Sequence, residues 1–251
     1  MIPVVFKPVT KILKLTLDSH PVKLSPSFQS KVENFWNNFN NDNRFTLGEI
    51  FHVAAVEETA ECVNLNLKTT DYAHYLFSVK QANVGEEGCK VIYGAGLIET
   101  ADSYFVFGEM SDKTAYPGRL QCVGGGLSRQ DLHNDEFQLK DSVLREMTEE
   151  LGIKEQAVKN CSVQFIKTGG DFDFIAILFH IQLKMTLREL HDTYNDLCLI
   201  LSAKGESPEF ASIISIKNES TEVEDFIKNN TSETVDYLIP YLKKMSSVHS
   251  M

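Results

Sequence analysis

The stretch Arg145-Glu146-Met147-Thr148-Glu149-Glu150-Leu151-Gly152-Ile153 decides the fold of this chain. Read as a helix at about 100° per residue, it places Val143, Leu144, Met147 and Leu151 in one apolar stripe. Glu146 and Glu150 then stack one turn apart with Glu149 beside them. The spacing predicts three carboxylates on the solvent-facing side of one short helix, clear of the core and stopped by Gly152. Like charges at this spacing repel by several tenths of a kcal/mol per pair. A divalent cation removes the conflict, which makes Glu146, Glu149 and Glu150 candidate metal ligands.

The same nine residues satisfy the core of the Nudix signature, Arg-Glu-aliphatic-x-Glu-Glu-x-Gly-aliphatic, at every specified position, and the chain resembles a Nudix hydrolase. Upstream, eighteen residues separate Gly126 from Arg145, five more than the pattern has. Strict counting puts Asp131 at a glycine position and Phe137 at an upstream glutamate position. The economical reading is a loop enlarged within Leu127 to Phe137, with Gly124-Gly125-Gly126 still the tight turn after a strand over Arg119 to Val123. Glu136 or Asp135 is the candidate substitute for the upstream carboxylate, and Asp135 or Asp141 the candidate start of the helix.

The resemblance implies an α+β protein, an α/β/α sandwich with a mixed β-sheet between helices. It also implies a metal-dependent diphosphatase that splits a diphosphate linked to another moiety by attack of water on phosphorus. Mg2+, with Mn2+ as the alternative, is expected at Glu146, Glu149 and Glu150. Arg145 is expected to brace a carboxylate of the site through a two-pronged ion pair. Glu209, just before a strand over Ala211 to Ile216, is the expected general base from outside the signature, and His133 in the enlarged loop a second candidate. Arg119 and Arg129 flank the turn and, with Gly125 and Gly126, are the candidate substrate-binding residues.

A weaker likeness, to the UDP-glucose/galactose diphosphatase group, rests on Leu67-Lys68-Thr69-Thr70-Asp71-Tyr72, Ser142-Val143-Leu144 and Glu209-Phe210-Ala211-Ser212. It implies a nucleotide sugar split to a nucleoside monophosphate and a sugar phosphate, with Tyr72 or Phe77 as candidate stacking rings. Core packing is the commoner fate of both. ADP-ribose or dinucleotide hydrolysis is the alternative within the class. A non-catalytic nucleotide-binding or regulatory domain is the alternative outside it.

Composition bounds the partners. A formal net charge of -11 argues against broad nucleic-acid binding, which needs a basic surface to displace counterions. An anionic substrate must therefore meet local positive charge. There is no apolar run of membrane-spanning length, and Lys7, Lys11 and Lys14 interrupt the apolar N-terminus, so no membrane partner and a cytoplasmic location are expected. Five scattered cysteines read as reduced thiols, and no His or Cys spacing suits zinc. Oligomeric state is not legible in the sequence.

Two units are expected. Residues 1 to 85 read as an N-terminal α+β subdomain, with an alternating strand Pro3 to Leu17, a helix Ser25 to Asn40 carrying Trp36 on its apolar stripe, strands Ile50 to Glu57 and Cys62 to Leu67, and a short helix Tyr72 to Val79. Residues 86 to 251 read as the Nudix domain. It opens with a hairpin of Val91 to Glu99 and Tyr104 to Glu109, and after the signature continues with strands Val163 to Thr168 and Phe172 to Leu183. Helices are expected at Leu187 to Tyr194, Glu222 to Lys228 and Ser232 to Lys244, with Pro240 kinking the last.

Overall fold

The pattern of β-branched and aromatic residues in alternation resolves into two mixed sheets. The computed structural model describes residues 2–42, 45–81, 84–170 and 172–247. Its strands are β1 (Ile2–Pro8), β2 (Ile12–Leu17), β3 (Glu49–Glu58), β4 (Cys62–Asp71), β5 (Ile92–Glu99), β6 (Tyr104–Met110), β7 (Leu120–Gln121), β8 (Leu132–His133), β9 (Glu136–Phe137), β10 (Val158–Gly170), β11 (Ile175–Leu183) and β12 (Phe210–Lys217). Its α-helices are α1 (Pro26–Phe39), α2 (Tyr72–Lys80), α3 (Leu139–Leu151), α4 (Leu187–Ala203), α5 (Ser220–Asn229) and α6 (Leu238–Ser247). The larger sheet runs β1-β10-β11-β5-β6-β12, with β7 on β6, and the smaller runs β3-β4-β2-β9-β8. β11 and β5 pair in parallel, as do β2 and β4.

Alternation along β11 shows why the larger sheet is covered on both faces. Ile175, Ile177, Phe179, Ile181 and Leu183 enter one core, with α3 and α4. Ala176 and Leu178 enter the other, with α5 and α6. A strand buried on both sides reads as a nearly continuous apolar run, and this layering is the expected α/β/α sandwich. The first core also takes Leu15, Phe51, Val63, Leu65 and Leu67 from the smaller sheet.

Several sequence expectations are corrected. The single strand Pro3 to Leu17 is two strands in different sheets. β1 pairs with β10 and β2 with β4; the first ladder runs on to Val9, whose N–H donates to Gln164 O at 3.0 Å, and the chain then bends at Lys11 into the other sheet. Backbone pairing crosses the boundary at residue 85: β1 joins the larger sheet, β9 pairs back onto β2 at Thr16 and Glu136, and His52 of β3 bridges to Val91. α4 extends nine residues beyond Tyr194, where Leu197 and Cys198 continue the core-facing stripe of Leu190 and Tyr194 while Leu199 and Ile200 stay exposed. α6 begins at Leu238, not Ser232. Pro240 therefore sits in its first turn, where a missing N–H breaks no helical bond, and no kink follows from it.

The far end of the larger sheet holds a buried polar network. Glu99 lies 2.8 Å from His180 Nε2, and it accepts from Asn218 Nδ2 at 2.8 Å and from Gln182 Nε2 at 3.3 Å. His180 and these amides hold its carboxyl down to about 2 from the ordinary 4.5, against the opposing effect of burial. A depressed carboxylate contributes stability that is complete above the unfolded value and is lost as the pH falls through the folded one. Glu99→Ala is expected to cost about 3 kcal/mol in urea unfolding at neutral pH. The difference from wild type should shrink as the pH falls from 4.5 toward 2. A variant as stable as wild type at pH 7 would show that the network contributes nothing.

Candidate active site

α3 is placed by its apolar stripe. Val143, Met147 and Leu151 are fully buried, Leu144 nearly so, and all four join the core beneath β5. The helix starts after Gln138, which makes no side-chain cap, with Asp141 in its first turn. Neither Asp135 nor Asp141 is the cap. Gly152 ends it in the left-handed conformation at φ 73°, its N–H donating to Thr148 O at 3.0 Å.

The three signature glutamates do not share one environment. Glu150 is 3% exposed and accepts a hydrogen bond from the Gly124 N–H at 3.2 Å. Glu146, 15% exposed, faces Gly125 so closely that a Cβ there would meet its carboxyl carbon at 3.1 Å. Glu149 is 57% exposed. Helix geometry explains the split, since positions 149 and 150 lie about 100° apart around the axis on either side of 146. The expectation of a solvent-facing Glu150 is corrected by the same arithmetic. Seven residues after Val143, it falls within about 20° of that residue and inside the apolar arc.

Arg145 gathers the charges. Its Nε and Nη2 donate to the two carboxylate oxygens of Asp131, each at 3.3 Å. Its Nη1 lies 2.8 Å from Glu146 and 3.1 Å from Glu149. The two-pronged pair read from the sequence exists, and its partner is the buried Asp131, which also accepts from the Ser128 N–H at 2.8 Å. Counting against the pattern had put Asp131 at a glycine position, which hid this role. Asp135 and Glu136, proposed as the substitute carboxylates, lie instead in the turn and strand that pair with β2. The enlarged loop is thereby tied to the smaller sheet, and its His133 is exposed in β8, opposite Glu136.

Glu209 is brought to the acidic group. Its carbonyl accepts from Ser111 N at 2.8 Å, and the next carbonyl, of Phe210, accepts from the Tyr194 hydroxyl at 2.5 Å. These bonds dock the start of β12 beside α3. Burial, then Glu209 and Glu146, push the Glu150 carboxyl well above its ordinary value, against the Gly124 hydrogen bond. Glu146 is raised by burial and by Glu149 and Glu209, against Arg145. Glu209 is raised by burial and by Glu149. Crowded carboxylates of this kind suit a hard cation with oxygen ligands in donor chemistry. Yet among the described residues no three acidic, histidine or cysteine side chains are grouped closely enough to enclose an ion. Of the three, Glu146 and Glu150 lie against the glycine turn, and Glu149 stands exposed on the pair with Arg145.

The turn has acids on one side and a cavity of about 350 Å³ on the other. Gly124, Gly125 and Gly126 line that cavity together with aromatic rings from both units, Tyr75 and Tyr93 among them. Arg119 lines it too, its guanidinium 3.8 Å from the Tyr116 ring centroid and its Nη2 donating to Gln121 Oε1 at 2.7 Å. Arg129 does not; it is exposed and forms a two-pronged pair with Glu49, both contacts at 2.8 Å. Tyr72 and Phe77 are also absent from the lining. Tyr72 packs edge-on against Trp36, and Phe77 against Phe28. One turn along α2, Tyr75 is the ring that reaches the cavity.

Lys167 and Asp236 complete the lining and were not found from sequence. Lys167 is 1% exposed and bonded to Asp236 Oδ2 at 2.7 Å. A lysine between Ile166 and Thr168 in a core strand, and an acid beside Tyr237 and Leu238, were available signals. Asp236 follows at once on residues 233–235, which pair with β7, and sits in the turn that leads into α6. Leu120 N donates to Glu233 O at 2.8 Å, and Val235 N to Leu120 O at 2.9 Å.

Gly124 adopts φ 135°, and a Cβ there would meet the Gly94 carbonyl at 2.1 Å. Gly124→Ala is expected to cost about 3 kcal/mol or more through strain and backbone displacement. Gly126→Ala, at a position with open space, should be tolerated. Equal melting temperatures for the two variants would overturn this account of the turn.

No protein-family model matches the chain, and no curated protein matches it. Solved structures do. The MutT protein of Methanosarcina mazei Go1 aligns at 15% identity and TM-score 0.43, over 64% of this chain and 96% of that one. A C. elegans Ap4A hydrolase aligns at 13% identity and TM-score 0.40, over 63% and 98%. The Nudix hydrolase RenU of M. smegmatis aligns at 9% identity and TM-score 0.41, over 66% and 91%. Among the described residues no helix is long and apolar enough to cross a membrane.

Proposed function

We propose that this chain is a Nudix-type diphosphatase acting on a nucleoside diphosphate derivative. The observation that carries the reading is the glycine turn, which has Glu146 and Glu150 against it and also lines a cavity large enough for a nucleoside. A diphosphate lying along the turn spans from the acids to the cavity. Glu146 and Glu150 would hold a divalent cation, Mg2+ by preference, which would supply the charge neutralisation that a diphosphate needs there. Backbone N–H groups of the turn orient the phosphates, and Arg119 faces the cavity that takes the rest of the substrate. Arg145, anchored by Asp131, keeps Glu146 in position. Glu209, whose carboxyl is raised, takes the proton of the attacking water, and Glu149 adds negative charge that keeps Glu209 basic.

The finer reading is a nucleotide sugar such as UDP-glucose, released as a nucleoside monophosphate and a sugar 1-phosphate. Identification of products from UDP-glucose and from ADP-ribose under equal magnesium tests it. Glucose 1-phosphate as the preferred product supports it, and a preference for ribose 5-phosphate moves the assignment to ADP-ribose. A second reading, a nucleotide-binding domain without turnover, is favoured by one observation, that no three acids among the described residues are grouped around a cation position. Tight nucleotide binding with no hydrolysis of either substrate would select it.

A further inference from the structure

The cavity beside the glycine turn holds two buried polar atoms without a hydrogen-bond partner among the described residues. They are Arg119 Nε and Asp236 Oδ1. The remaining contacts of both side chains fix them in place. Arg119 is held by Gln121 and by the Tyr116 ring, and Asp236 by Lys167. One is a cationic donor and the other an anionic acceptor, and both side chains line the same cavity. Buried charged groups left with an open bond are costly unless a ligand completes them. That ligand must carry a donor and an acceptor of its own. Around them stand Tyr75, Tyr93 and Phe174, with ring centroids 5.9 Å apart between Tyr75 and Phe174. Aromatic rings lining one cavity with two charged groups suit a planar heteroaromatic ring.

Resting on the diphosphatase reading, we infer that this cavity takes the base of the substrate, and that Asp236 and Arg119 select a base presenting a ring N–H beside a carbonyl. Uracil and guanine have that edge. The ring N–H is the more acidic donor and makes the stronger charge-assisted bond to a carboxylate. A carbonyl oxygen offers two lone pairs and so accepts from a guanidinium N–H that cannot reorient. Adenine and cytosine present an exocyclic amine beside a ring nitrogen with a single in-plane lone pair, a poorer match to both groups. The sugar and phosphates then lie toward the turn.

Isothermal titration of the full chain with UMP, GMP, CMP and AMP, in chelator, tests this without any demand on catalysis. UMP and GMP are expected to bind about tenfold or more tightly than CMP and AMP. Asp236→Asn should bring the four within about twofold of one another. Arg119→Lys keeps the charge but removes the Nε donor, and should narrow the preference in the same way; it decides the matter if loss of the Lys167 partner unfolds Asp236→Asn. Equal affinities in the wild type, or a preference that survives both substitutions, would overturn the assignment. Hydrolysis indifferent to the base also overturns it and leaves the diphosphatase reading standing. A retained base preference with no hydrolysis does the reverse.

Discussion

Glu150→Gln is expected to lower turnover of the nucleoside diphosphate substrate by on the order of a thousandfold while leaving thermal stability unchanged or raised. The two effects have one cause. Glu150 is buried against Gly124, and burial together with Glu209 and Glu146 opposes its charge. Glutamine has the same shape, keeps an oxygen for the Gly124 N–H and removes the charge, so the fold in chelator gains where the reaction loses. A residue conserving only structure would behave oppositely, with Glu150→Gln neutral for turnover. Measured kcat alongside melting in chelator separates the cases, and an unchanged kcat removes Glu150 from the mechanism.

Chelation is expected to abolish hydrolysis, with magnesium restoring it. The same ion should raise stability in proportion to its occupancy, by about 2.7 kcal/mol at a hundred times its Kd. In the structure Arg145 bridges Glu146 and Glu149, so a cation competes with a contact already present. Glu149→Gln weakens that bridge at an exposed position, and magnesium should then stabilise the protein at least as well as in wild type. In Glu150→Gln the stabilisation should largely vanish. Hydrolysis that persists in chelator would require a different mechanism altogether.

The layered fold was legible because local signals agreed with tertiary demand. The capping Ser25 and the apolar spacing of Phe28 and Val32 specify α1, and its observed cap is Ser25, accepting from the Phe28 N–H. The polar turn Thr100 to Ser103 specifies the β5-β6 hairpin, with Ile98 opposite Val106. Failures came where neighbouring chain outweighs local pattern. β1 and β2 share one alternation but different sheets, and nothing within residues 2–17 records which partner each will find. The extended run ahead of α6 is held by backbone bonds to Leu120, a residue more than a hundred positions away.

By itself the sequence determined α3, its glycine stop, its acidic residues and the turn that faces them, because helical periodicity and backbone conformation are local properties. It also contained the burial of Glu150, in its seven-residue spacing from Val143. Only the tertiary structure decided the rest. Asp131 became the partner of Arg145 through an irregular loop that no period describes. Arg129 was drawn off to Glu49, across two elements. Tyr75, Lys167 and Asp236 met around one cavity because strand pairing and chain reversal brought three distant segments together. Which polar side chains face one another depends on long-range packing, and periodicity along the chain carries no record of it.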